Sequence, residues 1–273
     1  MHQARVLFEE ETAPFFQLAY PNEPLRSLIA YYFEINHTKA DAQPLSIKCL
    51  PNMTGLINVS LSQVDWLSRN EFTGKQTLVS GANVFGCVTD SLESLYTAGV
   101  HEFYIKLKPG AIQQLTNLPG SELANQFAQL TDVFTLPNFS ESIQNASSFA
   151  DRIKITEAAF LPFTSAANTD WRYKLVQQAV AHFDTTDSLN KPQQHLYRLC
   201  HDLGVSYKSL HRHFTTVVGY SPKYCQQLIR FKRGLKQYKQ YGSTYDFETI
   251  GYTDFSHFVR ECKQLTQQGP SAL

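Results

Sequence analysis

The chain has 273 residues, of which 42% are hydrophobic and 18% are charged. This composition is typical of a globular protein with one large or two medium domains, and it excludes a disordered tail or a fibrous repeat. No apolar run approaches the roughly 20 residues that cross a bilayer. The opening MHQARVLFEEET has an acidic run where a signal peptide needs basic and then apolar residues. We therefore expect a cytoplasmic protein without a membrane partner.

The charge is divided unequally along the chain although the total is zero. Up to residue 167 there are 10 Lys and Arg against 16 Asp and Glu, a net of −6, and from 168 onward there are 14 against 8, a net of +6. Six of the nine histidines also lie in the basic part. A basic end on a neutral chain is expected when one domain approaches a polyanion, although a chance partition of surface charge would look the same.

The cysteines favour neither a disulfide framework nor a zinc site. They are five in number and widely scattered, without a CxxC pair: Cys49, Cys87, Cys200, Cys225 and Cys262. An odd, dispersed set of this kind is typical of reduced thiols. We expect most of them to be buried.

The first 137 residues are predicted to be rich in strands. Short runs of Ile, Val, Tyr and Phe are separated by Pro, Gly, Asn and Asp, and the clearest are IAYYFEI, TGLINVSLS, TLVSGANVFGCV and HEFYIKLKPG. Such spacing predicts a small barrel or sandwich. A helix is predicted over NEPLRSLIAYYF, because Leu25, Leu28, Ile29 and Tyr32 are spaced for one helical face, and another over AIQQLTN.

Two further regions complete the expected organisation. Residues 138–167 are predicted to form a helical connector that ends at Pro162, with TSAANTD as the linker. Residues 168–273 have almost no strand signal and are predicted to form an all-α domain. The expected fold is therefore α+β with two domains, 1–137 strand-rich and 168–273 helical.

An internal repeat runs through the helical domain. Leu210, Phe214 and Pro222 match Phe258, Cys262 and Pro270 at an offset of 48 residues, as Arg212 matches Arg260. The turn glycines Gly204 and Gly251 are 47 residues apart, so the second copy has one extra residue after its turn. The repeat predicts two copies of one helical module.

The first copy has the pattern of a helix-turn-helix. Leu196, Leu199 and Cys200 share one face of a helix, Gly204 suits a left-handed turn, and Ser206 can cap the next helix. A small residue at Cys200, followed by Gly204 in the turn, would let the two helices cross closely. With Leu210 and Phe214 facing inward, the outward side chains are those that can contact phosphates and base edges: Tyr207, Lys208, His211 and Arg212. A helical hairpin with a merely solvated basic face is the alternative.

The second copy repeats the arrangement around Gly251 and Tyr252, before a helix that carries Ser256, His257, Arg260 and Lys263. A long helix with Pro222 in its first turn is predicted to join the copies, with Tyr224, Leu228, Phe231 and Leu235 along its buried face. Two such modules can enter successive major grooves when their recognition helices lie about 34 Å apart. The joining helix would set that separation.

These motifs resemble the DNA-binding domain of AraC-type transcriptional regulators. The resemblance rests on G-V-S-x-x-x-L-x-R-x-F (204 to 214), V-G-Y-S-P (218 to 222), R-F (230 to 231) and G-Y-x-D-x-S-H-F-x-R (251 to 260). It implies a seven-helix domain that binds double-stranded promoter DNA to activate or repress transcription. By position it implies major-groove contacts from Lys208, His211 and Arg212 and from Phe255, Ser256, His257 and Arg260, and phosphate contacts near Ser221 and Lys223.

The departures from the family pattern lie in the second module. Asp246 and Phe247 stand where the family usually has Ile-Ala, Cys262 replaces a Phe, and Gln267 replaces a Gly. A large Phe247 together with a small Cys262 is either a compensated exchange of volume or the mark of a weakened reader. We expect the first module to supply most of the affinity.

The strand-rich part resembles the cupin-like N-terminal domains of the same family, through Tyr20-Pro21, Leu50-Pro51 and K-P-G-A (108 to 111). The resemblance implies a small-molecule effector, which the sequence does not identify, and RNA polymerase and a second copy of the chain as partners.

A metal site at His37, His101 and Glu102 is less favoured than solvated side chains. No GxSxG elbow or Walker loop is present, and we expect neither catalysis nor a cofactor. The alternative function is a cupin-like sensor or enzyme whose helical domain has lost specific DNA binding.

Overall fold

The computed structural model describes residues 5–6, 13–39, 42–116, 118–185 and 192–273. The strands of the first part are β1 (Arg5–Val6), β2 (Phe16–Ala19), β3 (Ile29–His37), β4 (Leu45–Cys49), β5 (Thr54–Ser60), β6 (Trp66–Asn70), β7 (Gln76–Val79), β8 (Ala82–Phe85), β9 (Leu92–Tyr96), β10 (Val100–Pro109) and β11 (Phe127–Gln129). They form a five-stranded sheet, β1-β4-β9-β6-β7, and a six-stranded sheet, β11-β8-β5-β10-β3-β2. The prediction of a strand-rich first part is confirmed.

Strand β10 shows how the two faces of the larger sheet are used. Val100 and Tyr104 belong to a cluster that includes Trp66 and Tyr96 of the smaller sheet, so this face lies between the sheets. Phe103 and Ile105 point the other way and join the core under the helices. Successive side chains of a strand alternate between faces, and both faces here are covered, which is why this segment reads as a continuous apolar run.

Five helices follow β10 and precede the basic part of the chain, the first of them before β11: α1 (Ala111–Thr116), α2 (Leu130–Val133), α3 (Phe139–Asn145), α4 (Phe149–Phe160) and α5 (Phe163–Thr169). Helices over AIQQLTN and in the connector were predicted, and both are present. The segment expected as a linker is α5, and its Ala167 is buried at 2% exposure. Ala167 packs into the main core, so this segment is attached to the protein at that position.

The prediction of a helix over NEPLRSLIAYYF is wrong. Glu23–Ser27 forms only a 3₁₀ turn, and Ile29 and Tyr32 belong to β3. The pairing of β3 with β10 shifts by one residue, so that Ile29 lies opposite Leu107 while Tyr32 lies opposite Ile105. A bulge of this kind brings two residues three apart onto one face of a strand. It reproduces the spacing of a helical face.

The basic part is helical in its described residues, as predicted. It contains α6 (Trp171–Phe183), α7 (Pro192–Asp202), α8 (Tyr207–Val217), α9 (Pro222–Tyr241) and α10 (Phe255–Thr266), with 3₁₀ turns at Gly242–Thr244, Phe247–Ile250 and Pro270–Ala272.

No helix in the described ranges combines the length and apolar character needed to cross a membrane. The cysteines are free, and all but the half-buried Cys49 are buried, as expected.

The helical part docks closely onto the strand-rich part. A methyl group added to Gly120 would lie 2.6 Å from the carbonyl oxygen of Val217, and the Gly120 amide donates to the carbonyl of Thr216 at 2.8 Å. The Cys87 thiol donates to the Val218 carbonyl at 2.9 Å across 131 residues of sequence. Backbone therefore meets backbone at this junction, which fixes the end of α8 against the strand-rich part.

Candidate nucleic-acid interface

The first module is a helix-turn-helix formed by α7 and α8. Leu196, Leu199 and Cys200 of α7 are buried, as predicted from their spacing. Gly204 adopts φ +63°, and the Ser206 hydroxyl accepts a hydrogen bond from the Ser209 amide at 3.1 Å, capping α8. The turn and the cap are therefore local features that this stretch of sequence specifies.

The reason for Gly204 is conformational. A methyl group added at this position would meet no atom within 4 Å, so space for helix crossing does not require a glycine. The left-handed backbone conformation does require a glycine, because a residue with a side chain is strained there. The prediction that Gly204 allows close approach of the helices is corrected in this respect.

Helix α8 has one buried and one exposed face. Leu210 and Phe214 are fully buried, as predicted. Tyr207 is 38% exposed, and Lys208, His211 and Arg212 are all exposed. The four candidate readers of the first module therefore share the solvent face of the first recognition helix, which is α8.

Two residues beside this face were missed by the sequence reasoning. Trp171 at the start of α6 is 58% exposed, and its ring lies 4.7 Å from that of His213, edge to face. His213 is buried on α8 and contacts the Ser209 hydroxyl at 3.2 Å. Burial, followed by the nearby charges of Arg212 and Arg172, lowers the pKa of His213. The pairing joins α6 to α8 across more than 40 residues of sequence, so no local pattern signals it.

The second module begins with a 3₁₀ turn in place of the expected helix. Gly242 ends α9 at φ +70°, and the Asp246 carboxylate caps Phe247–Ile250 by accepting from the Glu248 amide at 3.1 Å. Gly251 follows at φ +85°. Asp254 then caps α10, the second recognition helix, by accepting from the His257 amide at 2.7 Å.

Phe247 and Cys262 are both buried in the core of the second module. The Phe247 ring stacks on Phe258 at 4.7 Å between centroids, and Cys262 donates to the Gln268 carbonyl at 3.3 Å. The two side chains belong to one cluster, as a compensated exchange of volume requires. Gln267 ends α10 at φ +58°, a conformation that suits the glycine of the family pattern.

A buried charge network also holds the second module together. Arg230 of α9 forms an ion pair with Glu261 of α10, and its guanidinium lies over the Tyr252 ring at 4.7 Å. Gln227 donates to the same carboxylate at 3.2 Å. Sequence reasoning noted Arg230 only as part of a motif and missed Glu261, although a charge on the buried face of a helix is the signal that could have found it.

The candidate readers of the second module differ in exposure. Ser256 and Arg260 are exposed, and His257 is half-buried. Because His257 Nδ1 accepts from the Thr253 amide at 3.2 Å, its neutral ring carries the proton on Nε2 and can donate there. Phe255 is half-buried, and its ring stacks on Tyr238 at 5.7 Å.

At the start of α9 the Ser221 hydroxyl accepts from the Tyr224 amide at 3.2 Å, so this side chain serves as the helix cap. Lys223 beside it is exposed. Pro222 occupies the first turn, as predicted, and is buried. The equivalent Pro270 of the repeat is also buried and starts a 3₁₀ turn.

The cations of the basic part divide into two groups. Among the described residues, Arg172, Arg198, Arg230 and Arg233 pair with carboxylates. Lys208, Arg212, Lys223, Arg260 and Lys263 form no ion pair with any described residue. These five cations, called the free cation set below, lie on the two recognition helices or at the start of α9, and Lys174 of α6 is one further cation without an ion pair among the described residues. They present positive charge that the protein itself does not neutralise.

The three residues weighed as metal ligands have protein partners. His37 contacts the Gln43 carbonyl at 2.8 Å, and His101 contacts the Glu34 carboxylate at 2.7 Å. Glu102 accepts from the Asn58 amide at 2.6 Å, and burial raises its pKa to about 7. The described residues contain no cluster of His, Cys, Asp or Glu suited to a metal ion.

A strand-rich part carrying two helix-turn-helix modules, each with its recognition helix exposed, defines a two-part protein of the double helix-turn-helix class. No protein-family model matches the chain, and no curated protein matches it.

Solved structures nevertheless resemble its architecture. ToxT from Vibrio cholerae strain SCE256 with an unsaturated fatty acid bound is 10% identical, with 96% of this chain and 95% of that chain covered and a TM-score of 0.43. ToxT from Vibrio cholerae O395 bound to (E)-4-(8-methylnaphthalen-1-yl)but-3-enoic acid is 9% identical, with 94% and 97% covered and a TM-score of 0.44. The AraC-like transcriptional activator CuxR is 12% identical, with 83% and 88% covered and a TM-score of 0.31. At such low identities and TM-scores, these similarities say nothing about what this chain binds.

Proposed function

We propose that this protein is a sequence-specific transcription regulator of AraC type that binds the major groove of promoter DNA through both helix-turn-helix modules. The observation that carries the proposal is the placement of the free cation set. Apart from Lys174 of α6 and Lys223 at the start of α9, the other described cations of the helical part have partners, whereas the unpaired Lys208, Arg212, Arg260 and Lys263 lie on the two recognition helices. Unpaired Arg and Lys on such helices suit phosphates and guanine edges.

The exposed face of α8 suits direct reading of bases. Arg212 can donate two hydrogen bonds to guanine, and Lys208 and His211 can reach adjacent bases or phosphates. Tyr207 lies on the same face and can contact phosphate. The matching positions in the second module are Ser256, His257 and Arg260, with Phe255 at the edge of the core.

Phosphate contact is assigned to the start of α9. Lys223 is exposed there, beside Ser221, whose hydroxyl caps the helix by accepting from the Tyr224 amide. A helix start also favours anions through the helix dipole. Such contacts position a protein on DNA without reading its sequence.

Several finer predictions accompany this function. They are a cytoplasmic location, RNA polymerase and a second copy of the chain as partners, and domain boundaries near residues 137 and 167. The choice between activation and repression follows from where the target sites lie relative to promoters. All of these stay predictions.

The test measures retention of sheared source-genome DNA by the full chain at two salt concentrations, followed by sequencing of the retained fragments. A few intergenic fragments should be retained, less at the higher salt. The variant Arg212→Ala should lose about 1–3 kcal/mol of binding free energy and relax preference at one base position. Lys223→Ala should weaken all sequences alike.

Arg198→Ala is the matched control, because Arg198 is also exposed but is paired with Asp202 at 4.0 Å. It should bind DNA like the native chain. If the native chain retains DNA uniformly or not at all, or if Arg212→Ala and Arg198→Ala behave alike, the proposal is wrong.

A further inference from the structure

Trp171, the first residue of α6, is a large and exposed side chain beside the first recognition helix. It is 58% exposed, whereas Trp66, the other tryptophan of the chain, is buried between the two sheets. The Trp171 ring contacts His213 of α8, and its indole N–H forms no hydrogen bond with any described residue. Because an indole N–H can only donate, α6 presents an unused donor next to α8.

The Trp171 ring is held in place by the residues around it. It lies edge to face on His213, with 4.7 Å between the ring centroids, and His213 contacts the Ser209 hydroxyl at 3.2 Å. The start of α6 is fixed by Asp170, whose carboxylate accepts from the Arg172 amide at 2.9 Å. A side chain that is already placed loses little conformational entropy when it binds a partner.

The flank of α8 that Trp171 contacts adjoins the side that carries Arg212. Ser209 and His213, four residues apart, lie along one edge of the helix, and Arg212 lies between this edge and the exposed face. Burial, followed by the charges of Arg212 and Arg172, lowers the pKa of His213, so both guanidinium groups lie close to the His213 ring. The start of α6 and Arg212 are therefore neighbours at the border of the exposed face.

The width of the major groove decides what this flank of α8 would meet on DNA. An α-helix with its side chains is about 10–12 Å wide, and the major groove is about 12 Å wide. A recognition helix therefore fills the groove, and a group that lies against its flank reaches the sugar-phosphate backbone instead of the base edges. Trp171 is such a group, because its ring lies outside α8 and beside it.

The charges at the start of α6 are compatible with a phosphate. The Asp170 carboxylate is already engaged by the first amides of α6, by Arg172 Nε at 3.4 Å and by the Gln114 side chain at 3.0 Å. Arg172 uses only Nε in this contact, and its two terminal nitrogens form no hydrogen bond with any described residue. The guanidinium therefore offsets the carboxylate and keeps two donors for an anion.

We propose that Trp171 is a DNA-contacting residue whose indole N–H donates to a backbone phosphate beside the groove that α8 enters, with Arg172 directed to the same strand. The inference rests on the proposed function and extends the interface to α6, which belongs to neither helix-turn-helix. A contact to phosphate carries no sequence information. Trp171 is therefore a positioning residue that fixes how α8 lies in the groove.

The first test is quenching of tryptophan fluorescence by acrylamide in the full chain, with and without a DNA fragment retained in the genomic experiment. Without DNA, the quenching comes mainly from the exposed Trp171, because Trp66 is buried. With saturating DNA, the quenching should fall toward the low level expected of Trp66 alone. The measurement uses the native chain, so it does not depend on the folding of a variant.

The second test is the variant Trp171→Phe, which keeps an aromatic ring against His213 and removes the N–H donor. Its affinity should fall about tenfold, by the same factor for the retained fragment and for a mixed-sequence duplex. Leu78→Ala is the matched control, because Leu78 on the edge strand β7 is also 58% exposed. It should bind both DNAs as the native chain does.

The outcomes separate this inference from the proposed function. If the native chain binds its fragment while Trp171 stays fully open to acrylamide, or if Trp171→Phe and Leu78→Ala bind alike, the inference is wrong and the proposed function stands. A loss confined to the retained fragment would show that Trp171 contacts bases, which overturns the assignment to phosphate. If the native chain binds no DNA, the proposed function is wrong and the inference with it.

Discussion

The two helix-turn-helix modules share a sequence pattern but are held together in different ways. In the first, Leu210 and Phe214 belong to one core that continues into the strand-rich part. In the second, Phe247 and Phe258 belong to a separate core, with Val6 and Leu50 as its only contribution from the described strand-rich residues. The repeat therefore specifies the turn and the recognition helix, and each copy completes its core with what lies next to it.

The modules also differ in the charges around their recognition helices. In the first, Asp202 lies near the turn and is paired with Arg198. In the second, Asp246, Glu248 and Asp254 flank the turn and are exposed. Carboxylates beside a phosphate-binding face reduce its attraction for DNA. This comparison supports the expectation that the first module supplies most of the affinity.

The largest expected effect comes from breaking the charge network of the second module. Arg230→Ala leaves the buried Glu261 carboxylate without its partner, and removal of one member of a buried pair costs about 3–5 kcal/mol. The free energy of unfolding from urea denaturation measures the loss. Arg198→Ala, at an exposed pair in the first module, should cost at most about 1 kcal/mol. Equal losses would show that the network does not hold the second module.

A substitution at the junction should affect the first module. Gly120→Ala places a methyl group against backbone atoms of Val217 and Val218, which must move, at a cost of about 1–3 kcal/mol. Hydrogen exchange should show faster exchange at the Gly120 amide and near the end of α8, while α10 keeps its protection. In the control Gly269→Ala the nearest atom is 3.9 Å away. Unchanged exchange in Gly120→Ala would contradict the close docking.

A smaller effect, an increase in the free energy of unfolding, is expected at the end of the second recognition helix. Gln267→Gly removes a side chain from a residue whose backbone is left-handed, at φ +58°, and should raise the free energy of unfolding by about 0.5–1 kcal/mol. Gln264→Gly, in the interior of the same helix, should instead destabilise it by about 1 kcal/mol. Thermal unfolding of the two variants gives the comparison. The same sign for both would contradict the assigned cap.

The smallest effect is a pH dependence of the first module. The pKa of His213 is lowered in the folded chain, mainly by burial, so the unfolded chain binds the proton more readily. Its neutral form supports the fold above the ordinary histidine pKa, and this support is lost as the pH falls through the lowered value. His213→Gln should flatten the stability profile below neutral pH. An unchanged profile would exclude His213 as its source.

Much of each module could be predicted from the sequence because its signals are local. The spacing of Leu196, Leu199 and Cys200, the cap at Ser206 and the turn at Gly251 all act within a few residues. The same reasoning failed at Ile29 and Tyr32, because a bulge in β3 imitates helical spacing. It also missed His213 and Glu261, whose partners lie on other helices.

The sequence by itself determined the two modules, the helix that joins them and the strand-rich character of the first part, since periodicity, caps and turn glycines act through neighbouring residues. Only the tertiary structure decided how the parts meet. Gly120 lies against Val217, and Cys87 donates to Val218 across 131 residues. Contacts between distant segments leave no periodic pattern along the chain, because they are selected by the shape and charge of surfaces that exist only after folding.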